Sequence, residues 1–288
     1  MQNSKRFSQI GFNIPGIKMI GMELMKLVNV KDPDMLKIAQ TAELDPAIFG
    51  SIISCANSSL FGSLTQIVDL RTAVTRLGLK ELKRIIFHVV LESAFRSDSP
   101  DINKLLRSIW KQNLAVSLIM QRLVQDLPQV RNLPVEMVAS VYPLGLMHII
   151  GLPVLIANFF RPFAKYIQED SSLPLPVFFA RQQELFGGFD HFILGAELLK
   201  RWGFPEYFAE VIRCYHEAEP DLVPDVRTLH ALLRYARHLA DDLGYSALKT
   251  APEGYWKAGN VLDISGVDTV ALGQDVLEQM QELTVLFQ

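Results

Sequence analysis

The chain has little of what several large classes of protein depend on. Only two cysteines, Cys55 and Cys214, occur among its 288 residues, and they are far apart in sequence. Such a pair matches neither a disulfide framework nor a zinc-finger spacing, so we expect two reduced residues in a cytoplasmic protein. No window offers the roughly 18 uninterrupted apolar residues from which a membrane span is recognised. The sequence therefore predicts neither a disulfide-stabilised secreted domain nor a membrane protein.

Apolar residues are nevertheless concentrated in one stretch, VYPLGLMHIIGLPVLIANFF. It contains two prolines, two glycines and a histidine, and we interpret it as two buried helices that meet at a turn. The amino-terminal segment MQNSKRFSQIGFNIPG has no long apolar region, so we expect no signal peptide.

Charge is sparse and balanced. Charged residues make up 20% of the chain, the formal net charge is -3 and the pI is about 6.1. This balance gives no global attraction to nucleic acid or to an anionic membrane, and we predict neither as a partner. The sequence also lacks a phosphate-binding G-x-x-x-x-G-K-[ST] loop, a G-x-G-x-x-G turn and a G-x-S-x-G nucleophile elbow. The common signatures of nucleotide binding and serine hydrolysis are therefore absent.

Nearly every periodic segment has helical spacing. Hydrophobic residues make up 49% of the chain, which indicates an ordered globular protein with a substantial core. Asp, which caps free amides, and Pro, which tolerates the first helical position, precede most of these segments. No alternating pattern typical of a strand stands out, so we predict an all-α fold. The predicted helix starts are Asp32, Asp45, Asp69, Pro134, Asp190, Pro205, Asp225 and Asp268, and the predicted helix ends are Gly78 and Gly244.

Short motifs occur along the chain in a specific order. They are Asn13-Ile14-Pro15, Asp45-Pro46, Ala56-Asn57-Ser58 with Phe61-Gly62, Ala73-Val74 before Leu77-Gly78, and then GLMHIIG, LLKRWGFP and VIRCYHE. In combination they resemble the HDOD domain, the HD-related output domain of bacterial signalling proteins. The resemblance implies a multi-helix HD-like (HDOD) bundle. We predict an HDOD core domain over residues 12–217, with C-terminal helices over 218–288 that pack on or extend it. Candidate linkers are Glu169–Pro176 and Ser246–Gly266.

The HDOD domain is related to catalytic HD phosphohydrolases. These enzymes hold divalent metals that activate a water and neutralise the phosphate. Their layout is an early His on a long helix, a His-Asp pair, a His after a Gly-containing turn, and a further His or Asp. Here the early position falls at Gln112 and Asn113, and the pair reads His148-Ile149. The resemblance therefore implies a site without its early histidine and without its bridging carboxylate.

Three histidines remain at positions that match this layout. His191 matches the histidine after the turn. In the CYHE motif, relatives with two consecutive histidines carry the first of them where this chain has Tyr215, and His216 matches the second. Three neutral imidazoles could bind one zinc-like ion, or each could hydrogen-bond a neighbour in a polar remnant of the cavity. We predict no catalytic residue, no metal and no cofactor. The candidates for the remnant pocket are His148, His191 and His216.

One stretch is rich in basic residues, which are Arg71, Arg76, Lys80, Lys83 and Arg84. They could form an interaction face for an anion or a partner protein, or an ordinary solvated helix face. Asn57 and Ser58 are interpreted as structural, because such side chains bond helix ends and turns. The alternative for them is contact with a polar ligand or a partner.

The leading hypothesis is a non-catalytic bacterial signal-transduction module that acts through protein–protein interaction and is not an enzyme. Expected partners are signalling proteins, such as sensors or cyclic-dinucleotide pathway components. No receiver, GGDEF or EAL segment is found, so we expect it to work with separate partners. The alternatives are a diverged metal-dependent HD phosphohydrolase, such as a cyclic-dinucleotide phosphodiesterase, and a nucleotide sensor without turnover. The sequence leaves the oligomeric state open.

Overall fold

The computed structural model describes residues 17–30, 32–58, 61, 66–170, 173–248 and 261–286. The motif Asn13-Ile14-Pro15 and Gly62 lie outside these residues. All regular structure in the described part is helical, which confirms the all-α prediction. The helices are α1 (Met19–Leu27), α2 (Met35–Ala42), α3 (Pro46–Ala56), α4 (Leu70–Phe95), α5 (Pro100–Asp126), α6 (Pro128–Arg131), α7 (Val135–Met147), α8 (Gly151–Asp170), α9 (Leu175–Leu185), α10 (His191–Arg201), α11 (Glu206–Arg213), α12 (Pro224–Asp242) and α13 (Thr269–Leu286).

Aspartate capping fixes several helix starts where the sequence predicts them. The Asp45 carboxylate accepts from the backbone N–H groups of Ala47 and Ile48, with Pro46 in the first turn of α3. Asp69 and Asp190 cap α4 and α10 in the same way, and Asp268 accepts from the first turn of α13. These carboxylates supply partners for amides that a helix leaves free at its start.

Two predicted caps are wrong. Helix α2 is capped by Asp34, whose Oδ1 accepts from Leu36 and Lys37 at 3.0 Å each, so Asp32 lies outside the helix. Helix α12 begins at Pro224, one residue before Asp225, because proline suits the first helical position. Asp225 lies in the first turn, where its negative charge still favours the helix amino terminus.

Glycines end helices at the predicted points. Gly78 has φ 69° and ψ 168°, which breaks α4 into two helical parts at a left-handed residue. Gly244, with φ 84°, follows the end of α12. Positive φ is strained for residues with a Cβ, so glycine is the residue expected at both positions.

The described residues divide into two compact units. One unit contains residues 97–134 and 141–277, and the other contains 17–96, 135–140 and 278–286. The predicted boundary between residues 217 and 218 falls inside the first unit, so it does not coincide with this division. As a domain limit it stays a prediction.

In the second unit, α4 is the central helix and packs against α1, α2 and α3. Asn57, at the carboxyl end of α3, holds the chain that returns toward α4. Its Nδ2 donates to the carbonyl oxygens of Ile53 and Ile67 at 3.0 and 2.7 Å, and its Oδ1 accepts from Ile67 N–H at 2.8 Å. The structural role predicted for Asn57 is therefore confirmed.

In the first unit, α12 packs on α5 and α11, while α10 packs on α8 and α11. The apolar segment Val135–Asp170 is long enough by composition to span a bilayer, but 94% of its most apolar window is buried within the protein. It consists of α7 and α8, which are separated by a turn at residues 148–150. Two buried helices meeting at a turn were predicted here, and the structure confirms them.

Candidate functional site

His148 is the residue immediately after α7, and it is fully buried. Its Nδ1 lies 2.7 Å from the carbonyl oxygen of Gly145, one turn earlier. A carbonyl oxygen can only accept, so the proton sits on Nδ1 and the lone pair on Nε2. That Nε2 lies 3.2 Å from the side-chain nitrogen of Gln112, which donates to it. Both ring nitrogens of His148 are therefore engaged with protein groups in one neutral tautomer.

Gln112 reaches this position from α5, and its other amide atom fixes its orientation. Oε1 accepts from the backbone N–H of Ala247 at 2.6 Å, so Nε2 is the atom that faces His148. The sequence places Gln112 or its neighbour where catalytic relatives carry an early histidine. The structure brings Gln112 to His148 as a hydrogen-bond donor, which uses the imidazole lone pair that a metal would need.

The surroundings of His148 oppose its protonation. Burial lowers the pKa of His148 from 6.5 to about 3; the hydrogen bond to Gly145 acts in the opposite direction, and the charge of Arg237 lowers the pKa further. A buried imidazolium beside a guanidinium loses hydration and is repelled. His148 is therefore neutral across the physiological pH range.

His191, the first residue of α10, is buried and only 2% exposed. Its Nδ1 donates to Gln182 Oε1 at 2.8 Å, and its backbone N–H donates to the same oxygen at 3.1 Å. Gln182 Nε2 donates to the Tyr166 hydroxyl, which donates to the carbonyl oxygen of Phe178 at 2.7 Å. This chain fixes His191 in the Nδ1–H form, and burial, together with the charges of neighbouring histidines, keeps its pKa well below 6.5.

Helix α11 ends at Arg213, so His216 lies in the turn that follows it. The His216 side chain is half-buried there. Its ring stacks on Phe192 with centroids 4.8 Å apart, and Phe192 also contacts the rings of His191 and Tyr215. Tyr215 in turn meets His148 edge to face at 5.4 Å. The structure therefore brings the three predicted histidines into one neighbourhood, connected through two aromatic rings.

Two glycines allow the helices that carry these histidines to touch. A Cβ at Gly151, the first residue of α8, would overlap the carbonyl oxygen of His191 and lie 2.7 Å from the backbone nitrogen of Gly195. Only glycine fits such a backbone approach. The crossing places the His148 turn against the start of α10, where His191 lies.

Helix α12 carries a row of buried polar side chains that the sequence analysis did not predict. His230 Nε2 donates to the carbonyl oxygen of Cys214 at 3.0 Å, and Arg234 donates to that of Tyr215 at 2.9 Å. One turn further on, Arg237 forms an ion pair with Asp241. The first two contacts hold the turn that carries His216, whereas the Arg237–Asp241 pair lies within α12. Burial lowers the pKa of His230 to about 4.

Comparison with known proteins identifies the fold family. The HDOD domain model matches residues 14–218, which is more than half of the chain. This chain belongs to the HDOD family. An uncharacterized protein of Treponema pallidum (strain Nichols) is 23% identical over 206 residues, which are 71% of this chain and 38% of that protein. The chain thus spans less than half the length of that relative.

Solved structures share the HDOD fold at low sequence identity. An HDOD domain protein of unknown function from Geobacter sulfurreducens is 19% identical, with 97% of this chain and 95% of that chain covered and a TM-score of 0.72. A protein from Marinobacter aquaeolei VT8, provisionally described as a signal transduction protein, is 19% identical, with coverage of 96% and 60% and a TM-score of 0.74. A protein from Shewanella amazonensis SB2B, provisionally described as a phosphohydrolase, is 19% identical, with coverage of 95% on both sides and a TM-score of 0.67. These three likenesses show the fold that this chain shares with its neighbours.

The residues of this HDOD chain do not fit the metal site of an HD phosphohydrolase. Both ring nitrogens of His148 are bonded to protein groups, and the next residue, Ile149, is a buried apolar side chain in place of a carboxylate. Within the ranges described above, no group of three or more His, Cys, Asp or Glu side chains is arranged to hold a metal ion. Divalent ions in such sites need deprotonated ligands and a carboxylate to balance their charge.

The basic residues of the HDOD core do not form one exposed face. Arg84 is only 4% exposed and donates to Glu81 and Gln279. Lys83 donates to the side chain of Asn29 at 2.6 Å and to the carbonyl oxygen of Ala139 at 2.8 Å. The predicted face is wrong for these two residues, because the second half of α4 is enclosed by its neighbours. Arg71 and Lys80 are exposed and Arg76 is half-buried, and a partner contact there stays a prediction.

Proposed function

We propose that this HDOD chain is a non-catalytic regulatory module of bacterial signal transduction that acts through protein–protein contacts. The observation that supports the proposal most strongly is the hydrogen bond from Gln112 to His148 Nε2. It fills the coordination position of an imidazole with an amide N–H that the same protein supplies.

A metal would have to break this arrangement before it could bind. Displacing Gln112 would leave its buried amide and the part-buried N–H of Ala247 without their partners. Each buried group that loses its hydrogen bond costs about 1–3 kcal/mol. Ile149 offers no charge in compensation, so the site favours the metal-free hydrogen-bonded form.

The proposed partners are cytoplasmic signalling proteins, such as sensors or components of a cyclic-dinucleotide pathway. The family and the signalling neighbour from Marinobacter aquaeolei VT8 support a regulatory role. Two exposed basic residues, Arg71 and Lys80, lie on α4. We propose them as part of the surface that meets an acidic partner.

The alternative function is a diverged metal-dependent phosphohydrolase, such as a cyclic-dinucleotide phosphodiesterase. The observation in its favour is that His148, His191 and His216 share one neighbourhood through Phe192 and Tyr215. Metal analysis of the purified protein, with a phosphodiesterase assay in manganese, separates the two functions. We expect neither bound metal nor turnover. Stoichiometric metal and turnover that His148→Ala abolishes would overturn the non-catalytic proposal.

Affinity capture from the source cells tests the interaction itself. The intact protein is compared with the double variant Arg71→Glu/Lys80→Glu and with Lys165→Glu/Lys200→Glu, an equal change of charge at exposed lysines elsewhere. We expect signalling proteins to be retained by the native chain and by the control, and to be lost from the first variant. Equal retention by all three proteins would exclude the surface on α4.

A further inference from the structure

Asn113 is a fully buried amide on α5 whose polar atoms have no protein partner. Its side chain is 0% exposed, and neither Oδ1 nor Nδ2 is hydrogen-bonded within the part of the chain that the structure describes. More than nine in ten buried polar groups in native proteins have a partner, and an unsatisfied one costs about 1–3 kcal/mol. The amide of Asn113 therefore calls for a partner that is not one of these residues.

The direction of the Asn113 side chain follows from its neighbours on α5. Gln112 reaches the ring of His148, and the backbone of Ser117 lies so close to Gly145 that a Cβ there would be 2.6 Å from the Ser117 Cα. Successive helical residues are about 100° apart, so Asn113 projects between the directions of Gln112 and Ser117. Its amide therefore faces the segment from Gly145 to His148.

The Gly145 carbonyl oxygen and the His148 ring in that segment already have hydrogen-bond partners. The carbonyl oxygen of Gly145 accepts from His148, whose second ring nitrogen accepts from Gln112. The Ser117 hydroxyl donates to the carbonyl oxygens of Asn113 and Leu114 at 2.9 Å each. None of these groups turns to the side-chain amide of Asn113.

The chemistry of the surroundings limits what can sit beside this amide. A cation is disfavoured, because the residue after His148 is Ile149 and not a carboxylate, and the positive charge of Arg237 acts on His148. An anion is disfavoured, because Arg237 is already paired with Asp241 and His148 is neutral. A neutral molecule that can both donate and accept satisfies both amide atoms, and water is the smallest that does so.

We propose that Asn113 and the Gly145–His148 segment enclose an internal hydration site, in which ordered water donates to Asn113 Oδ1 and accepts from Asn113 Nδ2. This water links α5 to the turn that carries His148. The inference does not rest on the proposed function, because the amide needs a partner whether or not the protein has catalytic activity. A buried water of this kind makes about three hydrogen bonds.

Water–amide NOE and ROE spectroscopy on the full chain tests the site. We expect cross-peaks from long-lived water to the Asn113 side-chain NH₂ group. The matched control is the side-chain NH₂ group of Asn57, whose two donations both go to carbonyl oxygens and which should show no such cross-peak. Absence of the Asn113 cross-peak overturns the proposal.

A crystal structure and one variant separate water from a protein partner. Ordered density bonded to the Asn113 amide supports the site, whereas a side chain or backbone group of the chain in that place overturns it. Asn113→Leu is close in size and removes both polar atoms. If water fills the site, the Tm of Asn113→Leu is equal to or lower than that of the native chain. A higher Tm for the variant would mean that the amide was unpaired in the native chain, and would contradict the proposal.

Discussion

Gln112→Leu is the substitution that most directly perturbs the centre of the site. It removes the donor to His148 Nε2 and the acceptor of the Ala247 N–H while nearly conserving side-chain volume. The fully buried Nε2 of His148 and the part-buried N–H of Ala247 then lose their partners. The buried group alone costs about 1–3 kcal/mol, so we expect a loss of about 1–3 kcal/mol in the free energy of unfolding. Equilibrium urea denaturation measures it.

The matched control is Gln40→Leu. Gln40 is exposed on α2, so the control makes the same substitution at the surface. Surface changes of this kind usually stay within about 0.5 kcal/mol. A destabilisation of Gln112→Leu no larger than that of Gln40→Leu would refute the assignment of Gln112 as the partner of both groups.

Gln112→Glu distinguishes the hydrogen bond from simple packing. A carboxylate cannot donate to Nε2, so His148 must bind a second proton to keep the contact, and we expect its pKa to rise from about 3. Titration of the His148 ring by NMR measures the pKa in both proteins. An unchanged value would mean that residue 112 does not face the imidazole.

Three further outcomes follow from the same contacts. Because His148 and His230 have native pKa values of about 3 and 4, below the unfolded value of 6.5, the unfolded state binds more protons and stability falls as the pH drops below 6.5. Each histidine should lower the free energy of unfolding by about 2 kcal/mol between pH 7 and pH 5. The same free energy of unfolding from denaturation curves at both pH values would contradict this. Gly151→Ala should destabilise the protein by more than about 3 kcal/mol, because the added Cβ overlaps backbone atoms. Its control, Gly50→Ala, lies in a helix with open space around it and should stabilise the protein by up to about 1 kcal/mol. Thermal melts measure both changes. Asn57→Ala should lower the free energy of unfolding by about 2–4 kcal/mol, because three hydrogen bonds are lost. A loss below about 0.5 kcal/mol, as small as that of a surface change, would show that these hydrogen bonds contribute little.

Local chemistry made much of the fold predictable from the sequence. A cap acts over three residues, so Asp45, Asp69 and Asp190 could be read directly as helix starts, and Gly78 as a helix end. The same reasoning failed at Asp32 because Asp34, two residues later, offers an equivalent carboxylate. Boundaries between near neighbours of equal capping ability depend on the packing of the helix that follows.

The site was predictable only in part. The family pattern located His148 and His191, but it could not show that Gln112 and Gln182 satisfy their ring nitrogens, since those contacts join residues 36 and 9 positions apart. Burial of Arg84 was equally hidden, because its partner Gln279 is 195 residues away in sequence. Contacts of this range are set by tertiary packing, and short sequence patterns carry no signal for them.

In the proposed non-catalytic module, protein groups take the place of a metal at His148. Long-range ¹H–¹⁵N NMR of the histidine rings at pH 7, with and without excess zinc or manganese, tests it most directly. We expect one Nδ1–H tautomer of His148, with a ¹⁵N chemical shift of Nε2 that neither metal changes. A stoichiometric metal-induced change at His148 together with His191 would contradict it.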